Sequence, residues 1–317
     1  MAWLEITIHT VPGDCEKTAA ILTAKGFSDL VIEDQNEFEA FLEDNRAYWD
    51  YIDEDLQEKL QGLSRIKLYI EEGDASELSR IRDITEALGL PMDVSPLPET
   101  NWEESWKDSY PPQEVGKSLI VLPCWNADLE TDRKKIILDP GLTFGTGAHP
   151  STQMVMEVME ETVKPGFRCL DLGSGSGILS IAALRLGAQK AVGMDIDPKA
   201  EDIARENAGY NGFSAPAFTA LTGNVVEDRK LMAELKRAYD LVLVNIVADV
   251  IIGLAPVLPE FLGESSKLIC SGILNVRLGE VCQALEKAGL TIVNVKEKEE
   301  WRCVTARLAA PREGRDQ

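Results

Sequence analysis

The strongest chemical signal in the chain is a glycine-rich segment at residues 170–177, which reads Leu-Asp-Leu-Gly-Ser-Gly-Ser-Gly. The apolar residues before it predict a strand, and the residues after it predict a helix at 178–186. Glycine allows the tight turn that such a junction needs, and it lets backbone amides approach a ligand at the C-terminal edge of a parallel sheet. We therefore expect Gly173 and Gly175 to bind a cofactor.

The charge and spacing of this loop indicate which cofactor it binds. Asp171 places a carboxylate at the start of the loop, where it would repel a pyrophosphate but attract the ammonium and sulfonium groups of S-adenosylmethionine. The dinucleotide fingerprint G-x-G-x-x-G would need glycine at the position of Ile178. Both features favour S-adenosylmethionine over a nicotinamide cofactor. The simpler alternative is a glycine turn that only packs a helix against a strand.

Two acidic residues follow the next predicted strand. Asp195 can accept hydrogen bonds from both ribose hydroxyls of a cofactor, in a methyltransferase or in a dehydrogenase. Asp197 precedes Pro198, and proline suits the first position of a helix. We therefore expect Asp195 to bind the cofactor and Asp197 to cap the helix that follows.

Two asparagines follow later strands. Asn245 ends the fourth predicted strand, where its neutral amide could accept a hydrogen bond from a substrate amine. Asn224 follows the third predicted strand and could meet the adenine amino group. For both residues the alternative is a local turn in which the side chain bonds to nearby backbone. We predict a catalytic role for Asn245 and a cofactor contact from Asn224.

A second glycine-rich segment, residues 139–152, lies upstream of the sheet. Its glycines surround Phe144 and predict a flexible loop that could close over the cofactor and shield it from water. Phe144 is therefore the second catalytic candidate.

The end of this segment leads into a predicted helix at 153–162, which Ser151 or Thr152 could cap. His149 is one of two histidines in the chain and could act as a general base. Beside a proline and at a helix entry, a structural role is equally well supported.

A sheet predicted in the second half of the chain must position these residues. Apolar runs of strand length alternate with amphipathic helical stretches, which gives a parallel sheet covered by helices on both faces. The last two strands are too close in sequence for a helical crossover and should pair antiparallel. The result is a seven-stranded, Rossmann-like α/β domain. Its predicted strands are residues 168–172, 191–195, 217–221, 239–246, 267–271, 291–295 and 302–308.

The first hundred residues predict a small ferredoxin-like α+β domain with the order βαββαβ. An acidic and aromatic insertion at 37–58 separates its halves, and prolines after it mark a boundary. We divide the chain into this domain at 1–98, a linker at 99–134 and the α/β domain at 135–317. The predicted elements of the first domain are residues 3–9, 14–25, 30–33, 65–71, 76–88 and 92–97.

Composition limits the classes of protein that remain. The 317 residues are 44% hydrophobic and 27% charged, with no apolar run of the roughly 20 residues that span a bilayer. The first residues predict a strand and no signal peptide, so we expect a cytoplasmic protein without membrane contact. Six scattered cysteines without Cys-x-x-Cys spacing predict buried free thiols, with no disulfide or metal site. The net charge of −22 disfavours nucleic acid and favours a basic partner, or serves only solubility.

The sequence resembles the family of methyltransferases that act on the large-subunit ribosomal protein L11. Segment 139–152 is much more specific to that family than the glycine loop is, and residues 101–125 resemble the family's connector. The matching stretches, which span most of 135–308, are residues 139–152, 170–187, 193–198, 245–248, 271–274 and 300–301.

The resemblance implies a class I methyltransferase fold, S-adenosylmethionine as cofactor, and methylation of lysine side chains and the N-terminal amine of L11. It also implies that the N-terminal domain recognises L11, and the net charge of −22 favours L11 as a free, basic protein. Asp249 and Val250 depart from the small residues and proline usual in the family after the fourth strand. The implied cofactor contacts are Thr152, Gly173, Asp195 and Asn245.

Three other classes explain the sequence less well. A dehydrogenase would share the sheet, but Ile178 breaks its fingerprint. A methyltransferase of nucleic acid or of glutamine would more often show Asn-Pro-Pro-Tyr at the fourth strand, where residues 245–248 read Asn-Ile-Val-Ala. A non-catalytic binding module would leave the glycine loop, Asp195 and segment 139–152 without a function. The sequence therefore favours a protein methyltransferase.

Overall fold

This computed structural model describes residues 3–11, 13–27, 29–35, 62–97, 107, 110–140 and 147–310. The chain divides into two compact units, Met1–Ser109 and Tyr110–Gln317. The predicted insertion at 37–58 and the catalytic candidate Phe144 lie outside the described residues.

In its described residues, the first unit is a four-stranded antiparallel sheet with two helices packed on it. The strands lie in the order β2-β3-β1-β4, and every neighbouring pair is antiparallel. The predicted ferredoxin-like order is confirmed. The elements are β1 (Trp3–His9), α1 (Cys15–Ala24), β2 (Val31–Asp34), β3 (Ser64–Glu71), α2 (Ala75–Leu88) and β4 (Met92–Leu97).

Strand β3 shows how the residues of this sheet divide between its two faces. Ile66, Leu68 and Ile70 are buried in the apolar core of the unit. Successive side chains of a strand point to opposite faces, so Lys67 lies on the other face, where its Nζ is 3.1 Å from Glu33 Oε1. One face of the sheet therefore forms the core and the opposite face carries ion pairs.

The second unit begins with a three-stranded sheet that the sequence pattern did not predict. Its strands are β5 (Gln113–Val115), β6 (Leu119–Pro123) and β7 (Lys134–Leu138). Strand β6 pairs antiparallel with β5 and parallel with β7. Residues 110–134 therefore belong to this unit and not to the predicted linker at 99–134, because the apolar side chains of β6 are buried in the core.

A seven-stranded sheet forms the centre of the second unit, as predicted. The strands lie in the order β10-β9-β8-β11-β12-β14-β13, and β14 is antiparallel to both of its neighbours. The predicted antiparallel pairing of the last two strands is confirmed. The strands are β8 (Arg168–Leu172), β9 (Lys190–Asp195), β10 (Phe218–Thr222), β11 (Tyr239–Asn245), β12 (Leu262–Leu274), β13 (Leu290–Lys298) and β14 (Trp301–Leu308).

Apolar cores lie on both faces of this sheet. Leu241 and Leu243 of β11 enter one core, while Val242 and Val244 enter the other. Of the helices among the described residues, none is long and apolar enough to cross a membrane. The α-helices described in this unit are α3 (Pro150–Thr162), α4 (Ile178–Leu186), α5 (Pro198–Tyr210), α6 (Arg229–Leu235), α7 (Ala248–Leu254) and α8 (Leu278–Lys287).

Candidate functional site

Three predicted site residues meet at the C-terminal edge of the seven-stranded sheet. Strand β8 pairs in parallel with β9 on one side and with β11 on the other. Gly173 follows β8, while Asp195 and Asn245 are the last residues of β9 and β11. Open α/β sheets bind ligands at this edge, because the loops after the strands leave a crevice there.

The glycine loop after β8 folds back onto Asp195. The Gly173 N–H donates to the Met194 carbonyl at 2.8 Å, and the Gly175 N–H donates to Asp195 Oδ2 at 2.9 Å. Gly173 and Gly175 have φ values of +77° and +48°, in the left-handed region that favours glycine. A Cβ added to Gly173 would lie 3.1 Å from the side chain of Ile246. The loop therefore needs glycine both for its turn and for its close approach to the end of β11.

Asp195 keeps its carboxylate partly exposed at this edge. Its Oδ1 accepts a hydrogen bond from the Asp197 N–H at 3.1 Å, and its Oδ2 accepts the bond from the glycine loop. A carboxylate has about four acceptor sites, so both oxygens can also accept from the hydroxyls of a ribose. The geometry suits the predicted role of this residue.

Two exposed apolar side chains that follow β9 and β10 were not singled out in the sequence. Ile196, which follows Asp195 directly, is 62% exposed, and Val226, beyond the neighbouring strand β10, is 51% exposed. Apolar side chains exposed beside a ribose acid could pack against a flat heterocycle such as adenine. Their signal in the sequence is an apolar residue just outside the end of a strand.

The side chain of Asp171 is more buried than we expected for a carboxylate that attracts a cofactor. Its side chain is 1% exposed, and Oδ2 accepts hydrogen bonds from the N–H and the Oγ of Ser180 at 3.1 and 2.9 Å. Within the described part of the chain, Oδ1 has no hydrogen-bond partner. Burial raises the pKa of Asp171 to about 7, even though the two bonds from Ser180 act to lower it. The carboxylate therefore caps the first turn of α4 beneath the loop, and its charge at neutral pH is smaller than expected.

Two other predicted residues act in local turns and caps. Asp197 accepts a hydrogen bond from the Lys199 N–H at 2.9 Å ahead of Pro198, so its predicted capping role is confirmed. Asn224 accepts from the Val226 N–H at 3.0 Å through Oδ1, which is the local turn considered as the alternative. A contact from Asn224 to adenine stays a prediction.

Helix α3 begins earlier than predicted and has a different cap. It starts at Pro150, and its cap is His149, whose Nδ1 accepts from the Ser151 N–H at 3.3 Å. The predicted cap by Ser151 or Thr152 is wrong, because the proline takes the first helical position and favours an extended residue before it. The Thr152 hydroxyl instead accepts a 3.0 Å hydrogen bond from Asn245 Nδ2. The first turn of α3 is thus held against the end of β11.

Strand β12 holds the same helical turn from the other side. Ser271 is fully buried, and its Oγ lies 3.2 Å from the carbonyl oxygens of both Ser151 and Arg302, to either of which it can donate. Gly272 has φ +82°, and a Cβ there would lie 2.6 Å from the carbonyl oxygen of Ile246. In the sequence these two residues stood out only as part of a matching stretch. Glycine inside a strand, which marks a close backbone approach, was the signal that could have found them.

Together these features suit S-adenosylmethionine. The glycine loop offers backbone that a ligand can approach, Asp195 offers acceptors for a ribose, and Asn245 adds a neutral amide at the same edge. In the ranges that the structure describes, no group of His, Cys, Asp and Glu is placed to hold a metal ion. The carboxylate, amide and backbone groups at this edge suit an organic cofactor with hydroxyl groups.

The seven-stranded sheet has one antiparallel strand, and the glycine loop and Asp195 lie at its C-terminal edge. These features define an S-adenosylmethionine-dependent methyltransferase of the Rossmann-like class. Its cofactor is S-adenosylmethionine. The chain belongs to the ribosomal protein L11 methyltransferase family, whose family model, "Ribosomal protein L11 methyltransferase (PrmA)", matches residues 2–309.

Individual relatives match along nearly the whole chain. The L11 methyltransferase of Caldicellulosiruptor saccharolyticus is 35% identical over 317 residues, which are 97% of this chain and 100% of the relative. That of Dictyoglomus thermophilum is 35% identical over 309 residues, or 95% and 97% of the two chains. The crystal structure of the ribosomal protein L11 methylase from Lactobacillus delbrueckii subsp. bulgaricus matches with a TM-score of 0.57 and 31% identity. It covers 63% of this chain and 100% of that one.

Proposed function

We propose that this protein transfers methyl groups from S-adenosylmethionine to lysine side chains and the N-terminal amine of ribosomal protein L11. The neutral amide of Asn245 is the observation that supports an amine as the acceptor of the methyl group. It lies at the C-terminal edge of the seven-stranded sheet, which is called the cofactor edge below. Its Nδ2 donates to Thr152, so its carbonyl oxygen is the atom that can accept a hydrogen bond from an amine. The choice of L11 is supported by the family and by the names of the relatives.

The cofactor contacts in this proposal follow the edge of the sheet. Asp195 accepts from the ribose hydroxyls, and the backbone of Gly173 and Gly175 lies along the cofactor. Ile196 and Val226 supply apolar surface for the adenine ring, since both side chains are exposed in the segments that follow β9 and β10. Thr152 holds Asn245 in place, and its remaining hydroxyl capacity is available to the cofactor.

The chemistry asks the protein mainly to position a neutral amine, whose proton is released to water. S-adenosylmethionine, when bound, supplies a methyl group on a sulfonium, which is already an activated leaving group. A free lysine has a pKa of about 10.4 and is almost fully charged at neutral pH, so the site must favour the neutral amine. An apolar, partly desolvated edge lowers the pKa of an amine, whereas a carboxylate at position 245 would raise it. Asn245 orients the lone pair without stabilising the charged form.

We further propose that the substrate is free L11 in the cytoplasm, and that the first unit recognises it. The net charge of −22 attracts a basic protein and repels ribosomal RNA, so the assembled ribosomal subunit is a poorer substrate. The first unit has its own core and its own ion-paired sheet face, which gives it surface for a protein contact independent of the cofactor edge.

The direct test is to incubate the purified protein with free L11 and methyl-labelled S-adenosylmethionine and to locate the label by mass spectrometry. We expect label on lysines and on the N-terminus, and none on L11 whose amines have been acetylated. A protein that binds S-adenosylmethionine in calorimetry but leaves L11 unlabelled would contradict the proposed substrate.

The matched variant Asn245→Asp tests the role of the neutral amide. It has nearly the shape of asparagine but adds a charge that stabilises the protonated amine, so we expect slower methyl transfer and an optimum shifted to higher pH. An unchanged pH profile in this variant would remove Asn245 from contact with the amine.

A further inference from the structure

His149 makes a set of contacts that the proposed chemistry does not use. Its Nδ1 accepts from the Ser151 N–H at 3.3 Å and lies 2.7 Å from Ser151 Oγ. Its ring meets the ring of Trp301 edge to face, with centroids 4.6 Å apart. The imidazole is therefore fixed between the start of α3 and the start of β14.

The helical turn that His149 caps is the one that reaches the cofactor edge. Thr152 follows Ser151 directly and accepts the hydrogen bond from Asn245. The carbonyl of Ser151 can accept from Ser271. A change in the cap at residue 149 would therefore move a turn that is bonded to the ends of both β11 and β12.

The cap requires a neutral imidazole. Nδ1 can accept from the Ser151 N–H only when it carries no proton, and a cation at this place would also oppose the positive end of the helix dipole. Burial lowers the pKa of His149, while the carboxylates of Glu300 and Glu299 in the preceding turn act to raise it. The cations on the same turn are Lys298, bonded to Gln153 of α3, and Arg302, bonded to the carbonyl of Glu299.

We propose that neutral His149 is a positioning residue. By capping α3 it holds Ser151 and Thr152 against Asn245, and this arrangement favours binding of S-adenosylmethionine at the cofactor edge. This rests on the proposed function, because the cofactor must use that edge. Protonation of His149 removes the acceptor from the cap, loosens the first turn of α3 and weakens cofactor binding. Because linkage is reciprocal, binding of the cofactor in turn makes His149 harder to protonate.

The full-length protein allows a direct test, because the chain has only two histidines. The variant His9→Asn removes the other one, which lies in the first unit and bonds to Asp93 on its surface. In this background the imidazole of His149 is titrated by NMR, first alone and then with saturating S-adenosylhomocysteine, which has no methyl group to transfer. We expect a midpoint below the ordinary value of about 6.5 and a further fall when the ligand is present.

Calorimetry with S-adenosylmethionine provides the second readout. The wild-type dissociation constant should rise by up to about tenfold for each pH unit below the midpoint of His149, as expected when one proton opposes binding. His149→Asn keeps an acceptor at the cap and should bind normally at pH 8 with this pH dependence removed. His149→Phe keeps the ring against Trp301 without an acceptor, so it should raise the KM for the cofactor at every pH while kcat changes little.

The outcomes separate this inference from the proposed function. A wild-type protein that binds S-adenosylmethionine at pH 8, but whose His149 midpoint does not move with ligand, overturns the positioning role alone. His149→Asn with the full wild-type pH dependence does the same, even if His149→Phe fails to fold. Absence of cofactor binding at pH 8 in the wild type would instead overturn the proposed function, and this inference with it.

Discussion

The Nδ2 of Asn245 donates a 3.0 Å hydrogen bond to the hydroxyl of Thr152, although 93 positions separate the two residues in the chain. The bond joins the C-terminal end of β11 to the first turn of α3. Both side chains are among the predicted site residues, and the contact fixes the direction in which the Asn245 amide points. A residue can thus serve the site by orienting its neighbour as well as by touching the cofactor.

Replacing Thr152 with valine should weaken cofactor binding and stability together. Valine has nearly the same shape but leaves the Asn245 amide without its acceptor, a loss of about 1–3 kcal/mol. Calorimetry with S-adenosylmethionine and thermal unfolding measure the two effects. Thr152→Ser keeps the hydroxyl and should lie close to the wild type, so equal losses in both variants would mean that the hydrogen bond is not responsible.

Replacing Asp195 with alanine should strongly reduce affinity for S-adenosylmethionine. The change removes two charge-assisted hydrogen bonds to ribose, each about 1.5–3 kcal/mol, and frees the Gly175 N–H from its partner. The control is Asp197→Ala, which removes a helix cap worth about 1 kcal/mol and should leave the affinity nearly unchanged. A folded Asp195→Ala protein with normal affinity would exclude this residue from the site.

Replacing Asp171 with asparagine should stabilise the protein at alkaline pH. The pKa of Asp171 is raised from 3.8 to about 7, so the folded state binds more protons than the unfolded state between these values. Ionising this group therefore costs stability as the pH rises through that window, by about 1.4 kcal/mol for each pH unit between the two pKa values. Asparagine does not titrate, so its advantage over the wild type in thermal unfolding should be larger at pH 8 than at pH 4.

One outcome would contradict the prediction for Asp171→Asn. An asparagine variant whose unfolding temperature runs parallel to that of the wild type from pH 4 to pH 8 would show that burial does not shift the pKa of this carboxylate. Ser180→Ala provides a control, because it removes one of the two bonds that lower the pKa and keeps the carboxylate in place.

Removing residues 1–109 should separate cofactor binding from recognition of the substrate. The second unit contains the whole cofactor edge and its own apolar cores, so it should still bind S-adenosylmethionine in calorimetry. Intact L11 should no longer be methylated, because the protein contact of the first unit is lost. Methylation of intact L11 at the full rate by this fragment would contradict the recognition role.

Methylation of L11 should become slower as salt rises when the substrate is subsaturating. The net charge of −22 attracts a basic protein over distances comparable with the Debye length, about 8 Å at physiological salt. Initial rates between roughly 50 and 300 mM salt measure this attraction, because the rate of electrostatically steered association falls steeply with ionic strength. Rates that do not depend on salt, or a preference for assembled ribosomal subunits over free L11, would count against the proposal.

The sequence alone determined the strands of the four-stranded and seven-stranded sheets and the residues that follow the central strands. The alternation of apolar runs and helical stretches predicted the seven strands of the large sheet, because side-chain periodicity is a local property. The capping role of Asp197 could also be predicted, because the capping side chain, the proline that follows and the helix are neighbours in the chain. Parallel strands end at a common edge, so Gly173, Asp195 and Asn245 could be grouped in advance.

Only the tertiary structure decided how these residues are supported. The partners of Thr152 and of Asp171 depend on which strand ends and helix turns meet in space, and no short-range pattern encodes that. The fold also places the ring of His149, the cap of α3, against Trp301, more than a hundred positions away. Residues 113–115 and 119–123 form strands whose apolar side chains, among them Val115, Leu119 and Val121, are buried in a core. In each case burial and long-range hydrogen bonds chose among conformations that the local sequence allowed equally.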